Sequence, residues 1–487
     1  MSLHRSVIKG ASWRVVGRIS SQVVQFGIAV VMARLLSPNE YGLIAIASVF
    51  LAFAGSFSEM GFGVALIQRK ELHNRHSNSA FWANLGIGLI LVIVFYLVSP
   101  WIAEFYSEPE LRSIIPVLAI VFLLGPFGMV QNAHMYRNMN FRSLAVVEIS
   151  TTTSSGIIGV ILALMGYGVW SLVVSSLLGK VLNVTLSWWY IKWLPHFRFD
   201  KQALHELLSF GGNFTFFNII EYIGKSMDRL LIGKFMGAHD VGVYNRAYAV
   251  MLAPFTQIVW TGASVLLPAL ASIQEDKARV GQIFLRAISL ITFIALPALL
   301  GLIILAEPFV NVLFGPKWMA ATPILQIFCL LGLSEIIRNM INLIIESQGA
   351  TSRLVWLGSI QSVTNIIVIM MGISTKQLAM VALGVVVANY IVLFFYIRYL
   401  EEIVKLKFAE IVKAIRGGIG CALGMALIVF INMKTILINF GDLQKITISV
   451  LLGILIYGLL SIIFKPKGWL ELKMLSSSGL SIYKSQI

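Results

Sequence analysis

The chain has 487 residues, 58% of them hydrophobic and 12% charged, with a mean hydropathy of +0.86, which excludes a soluble globular domain with a polar surface. Apolar runs of about 20 residues between short polar connections are the pattern of membrane-spanning helices rather than of a barrel, so the expected fold class is all-α and polytopic. The net charge of +15 raises the question of nucleic acid, and the placement of the charges answers it.

In chain order, spans are expected at roughly 9–36, 40–65, 79–99, 112–134, 143–165, 167–191, 211–235, 240–266, 281–304, 321–345, 352–373, 376–398, 410–432 and 444–465, about 14 crossings. With both termini cytoplasmic, most of the 37 Lys and Arg fall on the inner side, including Arg69, Lys70, Arg75, Lys277, Arg279, Lys405 and Lys407. The outer loops hold Arg34, Arg112, Lys234, Lys317, Lys376, Lys434 and Lys445. That bias is the positive-inside rule, so topology explains the basic excess and no nucleic-acid partner is expected.

The first span follows a basic segment, carries Arg14 and Arg18, and outruns the core of a signal peptide; it reads as an uncleaved anchor. Arg14, Arg18, Gln22 and Gln25 share one stripe of it, and two readings stand for the arginines: cavity-facing, or snorkelling to headgroups. Glu148 on the fifth span and Lys180 on the sixth are further charges in apolar surroundings. Next comes KWLPHFRFDKQALHELLSFGG (192–212), a polar cytoplasmic linker, with a short surface helix expected over DKQALHELL.

In the seventh span, Glu221, Lys225, Asp228 and Arg229 are spaced i, i+4, i+7, i+8, one face of a helix. A turn near Gly237 puts Asp228 and Arg246 at similar depths on antiparallel neighbours. They are expected to pair, either to fix the hairpin or to serve transport. Glu335 and Arg338 follow at i, i+3 on the tenth span. A charge at the centre of a membrane helix costs about 2.5–3.5 kcal/mol on insertion scales, so these residues should face a cavity or one another.

Internal similarity organises the chain. RLLSPNEYGLIA (34–45) aligns with KFMGAHDVGVYN (234–245), pairing Arg34 with Lys234, Glu40 with Asp240 and Gly42 with Gly242. PVLAIVFLLG (116–125) and PILQIFCLLG (323–332) agree at six of ten positions. The expected organisation is an N-terminal lobe (1–191), the linker (192–210), a C-terminal lobe (211–400), and two further helices with a cytoplasmic tail (401–487). Such repeats give alternating access a mechanical basis.

Four stretches carry a resemblance. GASWRVVGRISSQVVQFGIAVVMARLLSPNEYGLIAIA (10–47) and GFGVALIQRKE (61–71), with MDRLLIGKFMGAHDVGVYNRAYAV (227–250) and VLFGPKWMAATPIL (312–325) in the second half, resemble the polysaccharide transport family. That family lies within the multidrug, oligosaccharidyl-lipid and polysaccharide exporter superfamily. The resemblance implies two six-helix bundles around a central cavity, often with two more helices. It also implies a flippase in the bacterial cytoplasmic membrane, moving undecaprenyl-diphosphate-linked oligosaccharide outward for surface polysaccharide such as O-antigen. A polysaccharide polymerase and chain-length machinery are implied partners.

On that reading, Arg14, Arg18, Gln25, Lys180, Lys225, Arg229 and Arg338 are the candidate cavity residues, because Arg and Lys can replace the hydration of a diphosphate with charge-assisted hydrogen bonds. Glu148, Glu221, Asp228 and Glu335 are open to two roles, H⁺ or Na⁺ coupling or charge neutralisation, with Arg246 as a partner. No cofactor or metal is expected. The seven histidines form no HExxH or Cys/His cluster, and His73 and His76 read as solvated in a basic loop. No Walker A sequence is present, and Cys329 and Cys421 read as apolar side chains. The alternatives are a cation-coupled multidrug exporter of the same superfamily and, from another class, a membrane-embedded glycan polymerase or ligase. Against the enzyme, the outer loops are too short to hold an acceptor.

Overall fold

A computed structural model describes the backbone of residues 3–59, 61–69 and 71–474, and their side chains except at 3–16, 19, 59, 208–221, 223–225, 254–265, 268 and 351. The described chain is helical: α1 (Leu3–Leu35), α2 (Pro38–Glu59), α3 (Phe62–Gln68), α4 (Asn74–Tyr106), α5 (Leu111–Ala119), α6 (Val121–Arg137), α7 (Phe141–Leu164) and α8 (Val169–Tyr190). Then follow α9 (Lys201–Met236), α10 (Ala238–Ser272), α11 (Lys277–Leu313), α12 (Ala321–Ser347), α13 (Thr351–Ser374), α14 (Leu378–Val404), α15 (Phe408–Thr435) and α16 (Asp442–Phe464). Every expected span has a helix beneath it, and among the described residues 11 spans are long and apolar enough to cross a bilayer. The protein is an all-α polytopic membrane protein.

Two expected spans are broken. Gly61, at φ 69, turns the chain between α2 and α3, a left-handed conformation that costs glycine little. The span at 112–134 divides at Ile120 into α5 and α6, each with an internal proline, Pro116 and Pro126, that removes a helical donor. The linker differs from expectation as well. DKQALHELL is no separate surface helix but the opening of α9, which Asp200 caps by accepting from the N–H groups of Gln202 (2.9 Å) and Ala203 (3.1 Å). Capped there and uninterrupted by proline, the helix runs on to Met236.

The chain forms two compact units, Met1–Gly242 and Val243–Ile487. In the first, α1 lies along α7, α7 along α8, and α9 packs on α2, α3 and α4. A cluster of Phe62, Leu66, Phe81, Val130 and Leu207 joins α3, α4, α6 and α9. In the second, α11 packs against α12, α15 and α16, and α14 against α12 and α13. Its core includes an aromatic pair: Phe328 is buried edge-on to Tyr244 at 4.9 Å.

Within the first unit the two copies of the repeated motif touch. Ser37 and Glu40 form a capping box at the start of α2, the Glu40 carboxylate accepting from the Ser37 N–H at 2.6 Å and hydroxyl at 2.8 Å. One turn on, a Cβ on Gly42 would stand 1.7 Å from the Ala238 carbonyl oxygen, and one on Gly242 would stand 1.9 Å from that of Pro38. Positions 38 and 42 thus meet 242 and 238 reciprocally. The absence of side chains at both glycines is what lets the backbones approach.

Candidate polar site along α1, α7 and α8

Close contacts set the register of these helices. Gly17 meets Ala145 and Gly156 meets Ile28, so α1 and α7 run parallel. Gly159 meets Ser175 and Gly179 meets Ser155, so α7 and α8 run antiparallel. Counting along α7, Gln25 and Lys180 stand level with residue 153, the middle of that span, while Arg18 lies about 10 Å nearer its N-terminal end. Glu148 falls between the two levels.

Direction follows from the same contacts at about 100° per residue. Arg18 and Gln25 share a stripe about a quarter-turn from the α7-facing Gly17, and Lys180 follows the α7-facing Gly179. Because the helices are right-handed, the α1 stripe and Lys180 turn to the same side, the angle between α1 and α8, and Glu148 lies at its edge. Arg18, Gln25 and Glu148 are exposed, and Lys180 is half-buried. Charge and amide at mid-span are costly against hydrocarbon and favour a polar environment on that side. The Arg14, Glu221 and Lys225 side chains lie outside the described residues.

Asp228 and Arg229 sit together on α9. The Asp228 carboxylate accepts from the Arg229 backbone N–H at 2.8 Å and lies 3.8 Å from its Nε, while Arg229 Nη2 donates to Ser226 Oγ at 3.0 Å. In the second unit, the Arg246 guanidinium stands over the rings of Phe314 (5.0 Å) and Trp318 (5.6 Å), a cation–π arrangement. Arg338 Nη2 donates to both oxygens of Glu335, at 2.6 and 2.5 Å, and Asn339 Nδ2 donates to the same carboxylate at 3.3 Å. Glu335 is buried, so this arginine is neutralised within one turn of its own helix. An incoming anion would compete with that carboxylate.

One polar cluster has no clear signal in the sequence. His76, expected to be solvated, is fully buried: its loop folds back as the first turn of α4, and Nδ1 accepts from the His73 N–H at 3.1 Å. That bond leaves Nε2 to carry the proton toward Glu206, 3.3 Å away. Arg69 pairs with the same carboxylate, and Arg75 with Asp200 at 3.5 Å. The hydrogen bond from His76 holds the Glu206 carboxyl below the ordinary range, with the arginines adding to it. Asp200 is lowered first by the Ala203 N–H that it caps. A histidine more than a hundred residues from its acid carries no spacing from which such a contact could be read. Among the described residues no group of His, Cys, Asp and Glu could hold a metal ion.

With this geometry in place, comparison locates the chain among known proteins. Residues 31–323, more than half the chain, match the family described as polysaccharide biosynthesis protein. The teichuronic acid biosynthesis protein TuaB of Bacillus subtilis is 28% identical over 341 residues, covering 69% of this chain and 70% of that protein. The lipopolysaccharide biosynthesis protein WzxC of Escherichia coli is 29% identical over 349 residues, covering 70% of each. Among solved structures, the inward closed conformation of the lipid II flippase MurJ superposes with a TM-score of 0.75 at 17% identity, covering 93% of this chain and 98% of that one. An inward-facing multidrug transporter of the MATE family gives 0.62 at 15%, covering 78% and 94%. These two likenesses carry the fold alone. The chain belongs to the polysaccharide biosynthesis protein family.

Proposed function

We propose that this protein is a flippase that carries a lipid-linked oligosaccharide from the inner to the outer leaflet of a bacterial cytoplasmic membrane for surface polysaccharide assembly. Supporting this are its family and its relatives in teichuronic acid and lipopolysaccharide biosynthesis, which are biosynthetic rather than drug-export proteins. The basic excess of the inner segments supports an orientation with both termini in the cytoplasm. The observation that carries the mechanism is the convergence of Arg18, Gln25 and Lys180 on the angle between α1 and α8. Cations at mid-span offer a diphosphate charge-assisted hydrogen bonds where hydrocarbon would offer none. The sugars travel in the same wet space, and the lipid tail stays in the bilayer. Lys225 and Arg229 on α9 are the further candidates for the phosphate; Glu148 and Glu335 are candidates for proton or Na⁺ coupling.

The experiment is complementation of a strain lacking its own copy, with surface glycan as readout and membrane insertion as control. Arg18→Gln and Lys180→Gln should each abolish glycan display while the protein still inserts. Normal glycan with both changes together would overturn the assignment of this angle as the transport path.

A further inference from the structure

The ten residues between α8 and α9, 191–200, form no helix yet are held firmly on one side. Trp82 Nε1 donates to the His196 carbonyl at 2.8 Å, the His196 N–H donates to Asn78 Oδ1 at 3.1 Å, and the Asp200 N–H donates to Ser79 Oγ at 2.9 Å. The Phe197 ring stacks on Trp82 at 4.8 Å. All three anchors stand on the first turns of α4, so the strap crosses one end of the bundle. That end also carries Arg69, Arg75, Arg137 and Arg142.

The other side of the strap is bare. Phe197 is 91% exposed, Trp189 80% and Leu194 62%, with Tyr190 and Phe199 also exposed. Lys192, Arg198 and Lys201 are exposed among them, and no acidic residue occurs from 189 to 199. Two solvents are unsuitable for such a segment. Water disfavours so dense a set of large apolar rings. The hydrocarbon interior disfavours its backbone, because the N–H groups of Lys192, Leu194, Phe197 and Phe199 have no hydrogen-bond partner among the described residues. Between the two lies the headgroup layer, where aromatic rings settle, backbone donors find water and phosphate, and Lys and Arg meet negative charge.

We infer that residues 189–201 form a membrane-surface strap that binds anionic phospholipid headgroups of the leaflet at the basic end of the protein. The partner is the lipid surface itself. It is chosen over a protein partner because the strap starts where the α8 span ends, at Tyr190, and because its exposed Lys192, Arg198 and Lys201 are all basic while its one acid, Asp200, is paired with Arg75. The inference concerns the bilayer around the protein and stands whatever the cargo is.

The test uses the full chain in vesicles free of any glycolipid, with an environment-sensitive fluorophore on Leu194→Cys and, separately, on Phe199→Cys. Neither side chain makes a ring contact or hydrogen bond of its own, and the native Cys329 and Cys421 are buried, so background labelling is read on the unaltered chain. Nitroxides at the headgroup should quench the dye about threefold more strongly than nitroxides deep in the acyl chains. Adding phosphatidylglycerol to phosphatidylcholine should enhance that shallow quenching, and Lys192→Gln with Arg198→Gln should remove the enhancement while leaving the protein folded. A dye quenched by aqueous iodide as freely as in solution would place the strap in water and overturn the proposal. A dye shielded from both iodide and lipid nitroxides would also overturn it, in favour of a protein surface covering the strap. Quenching indifferent to phosphatidylglycerol would overturn the anionic part.

Discussion

Replacing Gly42 by alanine is the sharpest test of the packing. The added Cβ would stand 1.7 Å from the Ala238 carbonyl oxygen, 2.5 Å from its carbon and 3.0 Å from its Cα. All three are backbone atoms, so no side-chain rotation relieves the clash, and α2 must shift away from the start of α10 by about 1.5 Å to restore ordinary contact. Alanine gains about 1 kcal/mol over glycine in a helix. Overpacking a fixed contact costs roughly 1–3 kcal/mol, and a backbone-to-backbone clash belongs at or beyond the upper end. The net expectation is a loss of about 2 kcal/mol, which in a unit of this size lowers the melting temperature by roughly 5 °C. Thermal unfolding of the purified protein in detergent measures it. Gly27→Ala is the control, because nothing lies within 4 Å of a Cβ built there, and it should melt at or slightly above the parent. Gly242→Ala should resemble Gly42→Ala, its Cβ meeting the Pro38 oxygen at 1.9 Å. Since either change opens the same gap, the double variant should lose less than the sum. If Gly42→Ala melts with Gly27→Ala, the close crossing is not a feature of the folded protein.

The ion pairs give further tests. Arg338→Gln strands the buried Glu335 carboxylate and should cost about 3–5 kcal/mol, with Glu335→Gln added in the same chain recovering much of it; strict additivity in unfolding measurements would refute the pair. Arg69→Gln should loosen the first turns of α9, where its partner Glu206 stands, read as faster hydrogen exchange at the Glu206 and Leu207 amides, while exchange in α7 stays unchanged. For pH the sign follows from Glu206. Its folded pKa is depressed below the ordinary 4.5, so its contribution is complete above that value and is lost only as pH falls through the lower, folded one. Protease sensitivity at the start of α9, which Glu206 ties to His76 and Arg69, should therefore be flat from neutral pH to about 5 and rise below the ordinary carboxylate range. Loosening that starts near pH 6 would assign the pH-sensitive contact to a group other than Glu206.

Where these features were legible depends on what encodes them. The helices were legible because bilayer thickness imposes a length and a composition on every span. Lys180 stood out for the same reason: a lone cation at the middle of an apolar run is costly enough to need an explanation. Arg338 and Glu335 were legible as neighbours, since i, i+3 spacing brings side chains together. That the arginine is occupied by the glutamate depends on the burial of Glu335, which spacing does not convey. His76 was misjudged because the text around it, HNRH, has the composition of a solvated loop. Its polar partner Glu206, itself paired with Arg69, is one that tertiary packing alone delivers.

The duplication shows how the two kinds of information meet. Across 34–45 and 234–245 the copies share few side chains, yet both keep a glycine at positions 42 and 242 and a charge at 40 and 240. The fold supplies a physical reason for the glycines. Each removes a Cβ at the point where the other copy's backbone passes, so the two positions answer one geometric demand seen from its two sides. A helix crossing of this kind constrains backbone approach rather than side-chain chemistry, and tolerates drift at every residue except those whose Cβ would enter the contact. Arg338 meets its counter-ion within its own helix, whereas Arg18 and Lys180 turn toward the angle between α1 and α8, so the glycine and small-residue contacts that set helix register also set where those cations lie.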